Sequence, residues 1–86
     1  MELKNTIDLM TSSDYKERFK AEYYQTKIRY EKLKDFNNKI ESALRTADVE
    51  MPKHDCPSDL LRDQQRAMGE YLHLLEVRAV IENIAL

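Results

Sequence analysis

The sequence predicts an all-α protein: a long antiparallel helical hairpin with a short N-terminal helix, assembling as a helical oligomer. Three observations predict it. A single Gly in 86 residues leaves almost nothing for the turns of a β-sandwich, a barrel, a phosphate-binding loop or a dinucleotide fold. Apolar residues recur at helical spacing along two long segments. Between those segments Pro52 and Pro57 stop any helix, because proline lacks the amide donor and clashes with the preceding turn. The oligomer follows from size, since a chain this short buries little surface alone and gains stability by self-association.

The elements follow in order within one domain, residues 1–86. Residues 2–10 form a short helix with Leu3, Ile7 and Met10 on one side. Thr11, Ser12, Ser13 and Asp14 interrupt it and supply N-cap oxygens for the next helix. That helix spans 14–46, and the stretch ADVEMPKHDCP ends it. The last helix spans 57–84. Pro57 suits its first position, Asp55 or Cys56 its cap, and Asp59 its first turn. Two long helices joined by one loop make an antiparallel hairpin.

Angular positions at about 100° per residue separate the faces. On the second helix Tyr15, Phe19, Tyr23, Thr26, Tyr30, Leu33, Asn37, Ile40 and Leu44 share one arc and are expected to face the last helix. There the facing arc is expected to hold Leu60, Gln64, Ala67, Tyr71, Leu74, Leu75, Arg78, Ile81 and Ala85. A second strip, Leu61, Met68, Leu72 and Ala79, lies beside it. One partner helix cannot cover both strips, which points to an oligomer.

Charge is segregated along the chain. Residues 15–39 hold eight Lys or Arg and four Asp or Glu, a balance of +4; residues 40–86 hold five and nine, a balance of −4. The net charge of −2 argues against a long nucleic acid, because the acidic half repels a polyanion. A locally bound small anion meets no such obstacle. The opening MELKNTIDLM has no long apolar run, so neither a leader nor a membrane span is expected, and a cytoplasmic location is. One Cys rules out an internal disulfide framework.

The residues most suggestive of chemistry lie on the edge of the second helix. Lys16, Lys20, Lys27 and Lys34 share a narrow band beside Tyr23 and Tyr24. Ammonium groups next to aromatic rings suit an anion with a stackable ring, such as a nucleotide. The same band, interleaved with Glu17, Glu22 and Glu31, equally fits a solvated helix face, and Tyr24 with Ile28 an oligomer seam. Arg78 within an apolar arc fits either a guanidinium paired with a carboxylate such as Glu41 or Glu76, or one that grips a phosphate. Asn37 reads as a residue that fixes register or oligomer state, not as a catalytic one. Gly69 marks a close backbone approach, to a helix or to a ligand. His54, Asp55, Cys56 and His73 lack metal-ligand spacing, so no metal or cofactor is expected. No hydrolase or metalloprotease signature occurs, so the chain is not expected to be an enzyme.

The runs DYKERFKAEYYQTKIRYEKL (14–33) and CPSDLLRDQQRAMGEYLHLLEVRAVIENI (56–84) resemble a family of short helical proteins of phages and prophages of Gram-positive hosts, related to a crAss-like phage protein. Pro57, Leu60, Tyr71, Leu72 and Leu74 are more distantly similar to the second helix of the α-hairpin in phage anti-defence sponges. That second resemblance implies an oligomer that sequesters a cyclic nucleotide or ADP-ribose-type signal of bacterial immunity at subunit boundaries. Tyr15, Tyr23 or Tyr24 would stack on a base, and Lys16, Lys20, Lys27 and Arg78 would hold phosphates. Two other classes stay open: a protein-binding, anti-CRISPR-like inhibitor of a host defence enzyme, and a small phage structural or assembly protein.

Overall fold

The computed structural model describes residues 1–86. A 3₁₀ turn, Leu3–Thr6, runs into a one-turn helix α1, Ile7–Met10. Helix α2 spans Tyr15–Arg45 and helix α3 spans Ser58–Glu82; there is no strand. Asp14 starts α2 as expected, its carboxylate accepting the Lys16 amide at 3.0 Å. Pro57 stands one position earlier than expected. It is the residue before α3, in an extended conformation, and its carbonyl accepts the Leu61 amide at 3.2 Å. Neither Asp55 nor Cys56 caps the helix. Asp59 instead accepts the Leu60 amide at 2.9 Å.

Helix α3 ends on a left-handed residue, Asn83 (φ 59°, ψ 47°). The Ile84 amide then returns to the Ala79 carbonyl at 2.8 Å, the six-to-one bond that closes a helix at a left-handed C-terminal residue. The reversal places Ile84 in the core with Phe19, Tyr23, Leu72, Leu75 and Ala79. Leu75 is 1% exposed.

The phase of α3 differs from the expectation. Its side against α2 is the second strip: Leu72 and Ala79 are buried and Leu61 and Met68 half-buried, with Leu75 between. Leu60, Leu74 and Ile81, expected to face α2, are 54%, 60% and 77% exposed. Two adjacent apolar strips give the helix two nearly equivalent ways to turn. The chosen one lets Asn37 of α2 reach α3, where its amide donates to the Leu61 carbonyl at 3.2 Å and to Gln65 Oε1 at 2.9 Å. These bonds set the register between the helices, as expected for Asn37. Its own Oδ1 is buried and accepts nothing.

The N-terminal segment packs on the side of α2 away from α3, burying Ala21 to 1%. Leu3, Ile7 and Met10 were expected to be its packing residues, yet Ile7 and Met10 are 52% and 48% exposed. The fully buried residue is Thr6. Its hydroxyl donates to the Leu3 carbonyl at 2.7 Å and accepts from Gln25 Nε2 at 2.9 Å. A polar side chain sits there without desolvation cost because both halves of its hydroxyl are bonded.

Only 10 of 86 residues are buried, and the hairpin extends 50 × 25 × 19 Å. Its radius of gyration, 15.9 Å, exceeds the roughly 12 Å of a compact domain of this length. A hairpin this slender leaves the Leu60, Leu74 and Ile81 strip open to solvent. No helix is long and apolar enough to cross a membrane.

Candidate functional site

The seven residues singled out in the sequence fall into two places. Tyr15, Lys16 and Arg78 meet at the end of the hairpin where α2 begins and α3 finishes. The Tyr15 hydroxyl donates to Glu82 at 2.8 Å, Arg78 donates to the Tyr15 oxygen at 2.8 Å and to Glu82 at 3.0 Å, and Lys16 reaches the Asn83 carbonyl at 3.3 Å. The partner of Arg78 is therefore Glu82, one helical turn on, and not Glu41 or Glu76. Its guanidinium also lies 5.1 Å from the centre of the Phe19 ring, a cation–π contact. The hydrogen bond to Glu82 raises the affinity of Tyr15 for its proton, and the bonds from Tyr15 and Arg78 hold the Glu82 carboxyl below its ordinary range. Tyr71 donates similarly to Glu22 across the same side. These groups form a clasp that ties the helix ends together.

Tyr23, Tyr24 and Lys27 lie further along α2. Tyr23 is 5% exposed, so it has no free face on which a base can stack. Its hydroxyl donates to Glu76 at 2.6 Å, and Tyr24 packs edge-on against it with ring centres 5.2 Å apart. Burial, then the hydrogen bond to Glu76, push the Tyr23 phenol up to about 12. Lys27 Nζ lies 5.8 Å from the centre of the Tyr23 ring. Tyr24 is half-buried and, with Lys27, Ile28 and Lys32, lines a surface hollow closed on one side by Met1. The Tyr24–Ile28 surface is thus next to the N-terminal segment of the same chain. Lys20 lies between the two places and is half-buried.

The largest concavity of the molecule lies elsewhere, and Gly69 was its one hint in the sequence. It is an open groove of about 830 Å³ across Gly69, lined by Tyr30, Arg62, Gln65, Arg66 and His73 and also by Glu70 and Leu74. A smaller hollow continues from Gly69 and His73 to Lys27 and Tyr23. Tyr30 packs at Gly69: a β-carbon added there would stand 3.2 Å from Tyr30 Cε1, tighter than ordinary contact. Lys34 Nζ lies 5.8 Å from the centre of the Tyr30 ring. The two arginines of α3 line the groove, with Tyr30 as its one residue from α2; Lys27 lies on the smaller hollow beside it, and Lys34 pairs with Glu31 at 3.4 Å. Arg78 lines neither hollow. It stands nine positions beyond Gly69, which at about 100° per residue is the opposite side of the helix.

Sequence reading missed Arg62, Arg66, His73 and Tyr30 as a group. The signal that finds them is the set of positions 62, 66, 69 and 73, which form one stripe of α3. No three His, Cys, Asp or Glu side chains are placed to hold a metal. His54 packs on Phe36 with ring centres 6.2 Å apart, and Cys56 is exposed and unpaired.

Fold and surface together define an all-α hairpin with a cation-lined groove between its helices and an uncovered apolar strip on its second long helix. A family model described as Sequestin matches residues 13–81, both long helices and the loop between them. The chain belongs to the Sequestin family. The family's name denotes sequestration of a ligand, in agreement with the resemblance to sponge proteins. No curated protein and no solved structure matches the chain.

Proposed function

We propose that this Sequestin-family protein is a non-enzymatic, phage-encoded anti-defence protein of the host cytoplasm. It forms a homo-oligomer that binds and sequesters a small nucleotide immune signal, of the cyclic nucleotide or ADP-ribose type, at subunit boundaries. The family match supports sequestration as the activity. The observation that carries the ligand class is the placement of Lys34 by the half-buried ring of Tyr30. Such a pairing offers charge to a phosphate and apolar ring surface to a base. The exposed strip of Leu60, Leu74 and Ile81 supports the oligomer, because a second copy removes it from water.

Native mass spectrometry of the purified protein, with and without cyclic di- and trinucleotides and cyclic ADP-ribose isomers, tests this reading. An oligomer that retains or gains a nucleotide in whole-number ratio to its subunits is expected. An oligomer that takes up none of the panel would refute the nucleotide. Among variants, Tyr24→Ala and Lys20→Ala are expected to keep the wild-type helical spectrum and to weaken binding of the captured nucleotide several-fold. Stacking on a tyrosine contributes about 1–3 kcal/mol per base. Full affinity in both would remove this stretch of α2 from the site.

A further inference from the structure

The groove across Gly69 carries an assignment of its own. We infer that it is a phosphate-binding site in which Arg62 and Arg66 grip the anion and Tyr30, seated against Gly69, offers its ring to the group attached. The step from anion to nucleotide rests on the function proposed above; the anion site rests on the groove alone.

Arg62 and Arg66 are one helical turn apart, so their guanidiniums project to the same side of α3, and both line the groove. Arg62 makes no ion pair within 4.0 Å. Arg66 is held only by Asp63 at 3.2 Å, and both side chains of that pair are about two-thirds exposed, at 69% and 65%. An exposed pair of this kind is weak, so an anion displaces it at little cost. Guanidinium is the group best shaped for phosphate, since its planar fork presents two parallel N–H donors. Gln65 and His73 add further polar atoms on the same wall. Glu70 is the one carboxylate of the lining, outnumbered by the two arginines.

The glycine supports the same reading. In mid-helix it is less favourable than alanine, so its place in α3 calls for a steric reason. That reason is Tyr30, which a β-carbon would press at 3.2 Å. Without that β-carbon the ring lies close to the α3 backbone and forms the floor of the groove instead of filling it. Beyond the ring, Lys27 lies on the smaller hollow that adjoins the groove, and Lys34 is held by Glu31 at 3.4 Å. An anion bound at the arginines thus meets two guanidiniums and an aromatic ring beside them.

The test uses the full chain and inorganic pyrophosphate, followed by ¹H–¹⁵N NMR at low salt. Saturable shifts are expected at the Gly69 amide, the Arg62 and Arg66 Nε–H groups and the His73 ring. The double variant R62Q/R66Q is expected to weaken pyrophosphate binding about tenfold or more. The charge-matched double variant K39Q/R45Q, neither residue of which lines the groove, should bind like the wild type. Circular dichroism of each variant checks that the helices persist. No saturable shift at the groove, or equal losses in the two double variants, would overturn the site.

The two proposals fail separately. Pyrophosphate at the groove with no nucleotide retained from the panel sustains the anion site and refutes the nucleotide. A retained nucleotide whose affinity is untouched by R62Q/R66Q sustains sequestration and refutes the groove as the place where that nucleotide binds.

Discussion

Leu75→Ala is expected to lower the thermal midpoint by about 10–30 °C. Leu75 is the largest fully buried apolar side chain, at 1% exposure, and it packs among Phe19, Tyr23, Leu72, Ala79 and Ile84. Truncating such a leucine removes transfer free energy and leaves a cavity, together about 2–5 kcal/mol. An 86-residue chain has about 4–13 kcal/mol of stability in total, so the loss takes a large share of it. In a domain of this size each kcal/mol moves the midpoint by about 4–8 °C. Melting followed by circular dichroism measures the effect at one fixed protein concentration, since binding of any partner to the folded state shifts a midpoint by mass action. Leu75→Met, which nearly conserves volume, should cost less than about 1.5 kcal/mol. A midpoint lowered by only a few degrees in the alanine variant would mean that Leu75 is not the centre of the core.

The second large effect is alkaline. Burial, and then the hydrogen bond to Glu76, favour the neutral phenol of Tyr23, raising it from the ordinary 10.0 to about 12. Below pH 10 the phenol is protonated in folded and unfolded chains alike, and its contribution to stability is complete. Between pH 10 and about 12 the unfolded chain loses the proton and the folded chain keeps it. Stability therefore falls across that window, and by about pH 12 this contribution is gone. At about 1.36 kcal/mol per pKa unit, two units amount to roughly 2–3 kcal/mol. Urea titrations at pH 9, 10, 11 and 12 measure the slope, and Tyr23→Phe is expected to flatten it. A residual slope is expected in that variant, because Tyr15 and Tyr71 are also raised by their bonds to Glu82 and Glu22. An equal slope in wild type and variant would place the alkaline transition on other groups.

The extent of the helices was legible because punctuation fixed it. Asp14 offers a cap, Pro52 and Pro57 forbid continuation, and the structure departs from the expected ends by one or two residues. The inner face of α2 was legible because its apolar residues form a single stripe. The face of α3 was not. With Leu60, Leu74 and Ile81 beside Leu61, Leu72 and Ala79, angular position alone assigns no phase, and the bonds of Asn37 to α3 belong to tertiary structure. The site inherits that difficulty. The lysines of α2 could be grouped from spacing alone, since the inner stripe beside them was known. Arg62 and Arg66 could be placed in one groove with Tyr30 only once the rotation of α3 was fixed. Thr6 escaped notice for another reason: a lone hydroxyl inside a short amphipathic segment looks like surface until the Gln25 amide that satisfies it is seen.

The antiparallel register has a kinetic consequence. Asn37 and Gln65, joined near the loop, are 28 residues apart in sequence, whereas Tyr15 and Glu82 at the far end are 67 apart. Closing the shorter loop sacrifices less chain entropy, and contacts between near neighbours form sooner. The hairpin should therefore zip from the loop toward the clasp. Folding and unfolding rates of variants read this directly: Leu61→Ala is expected to slow folding, and Ile84→Ala mainly to speed unfolding. Equal effects of the two on folding would mean that the helices join in one step. The buried cluster at the clasp end, completed by Ile84, is then the last part of the hairpin to close.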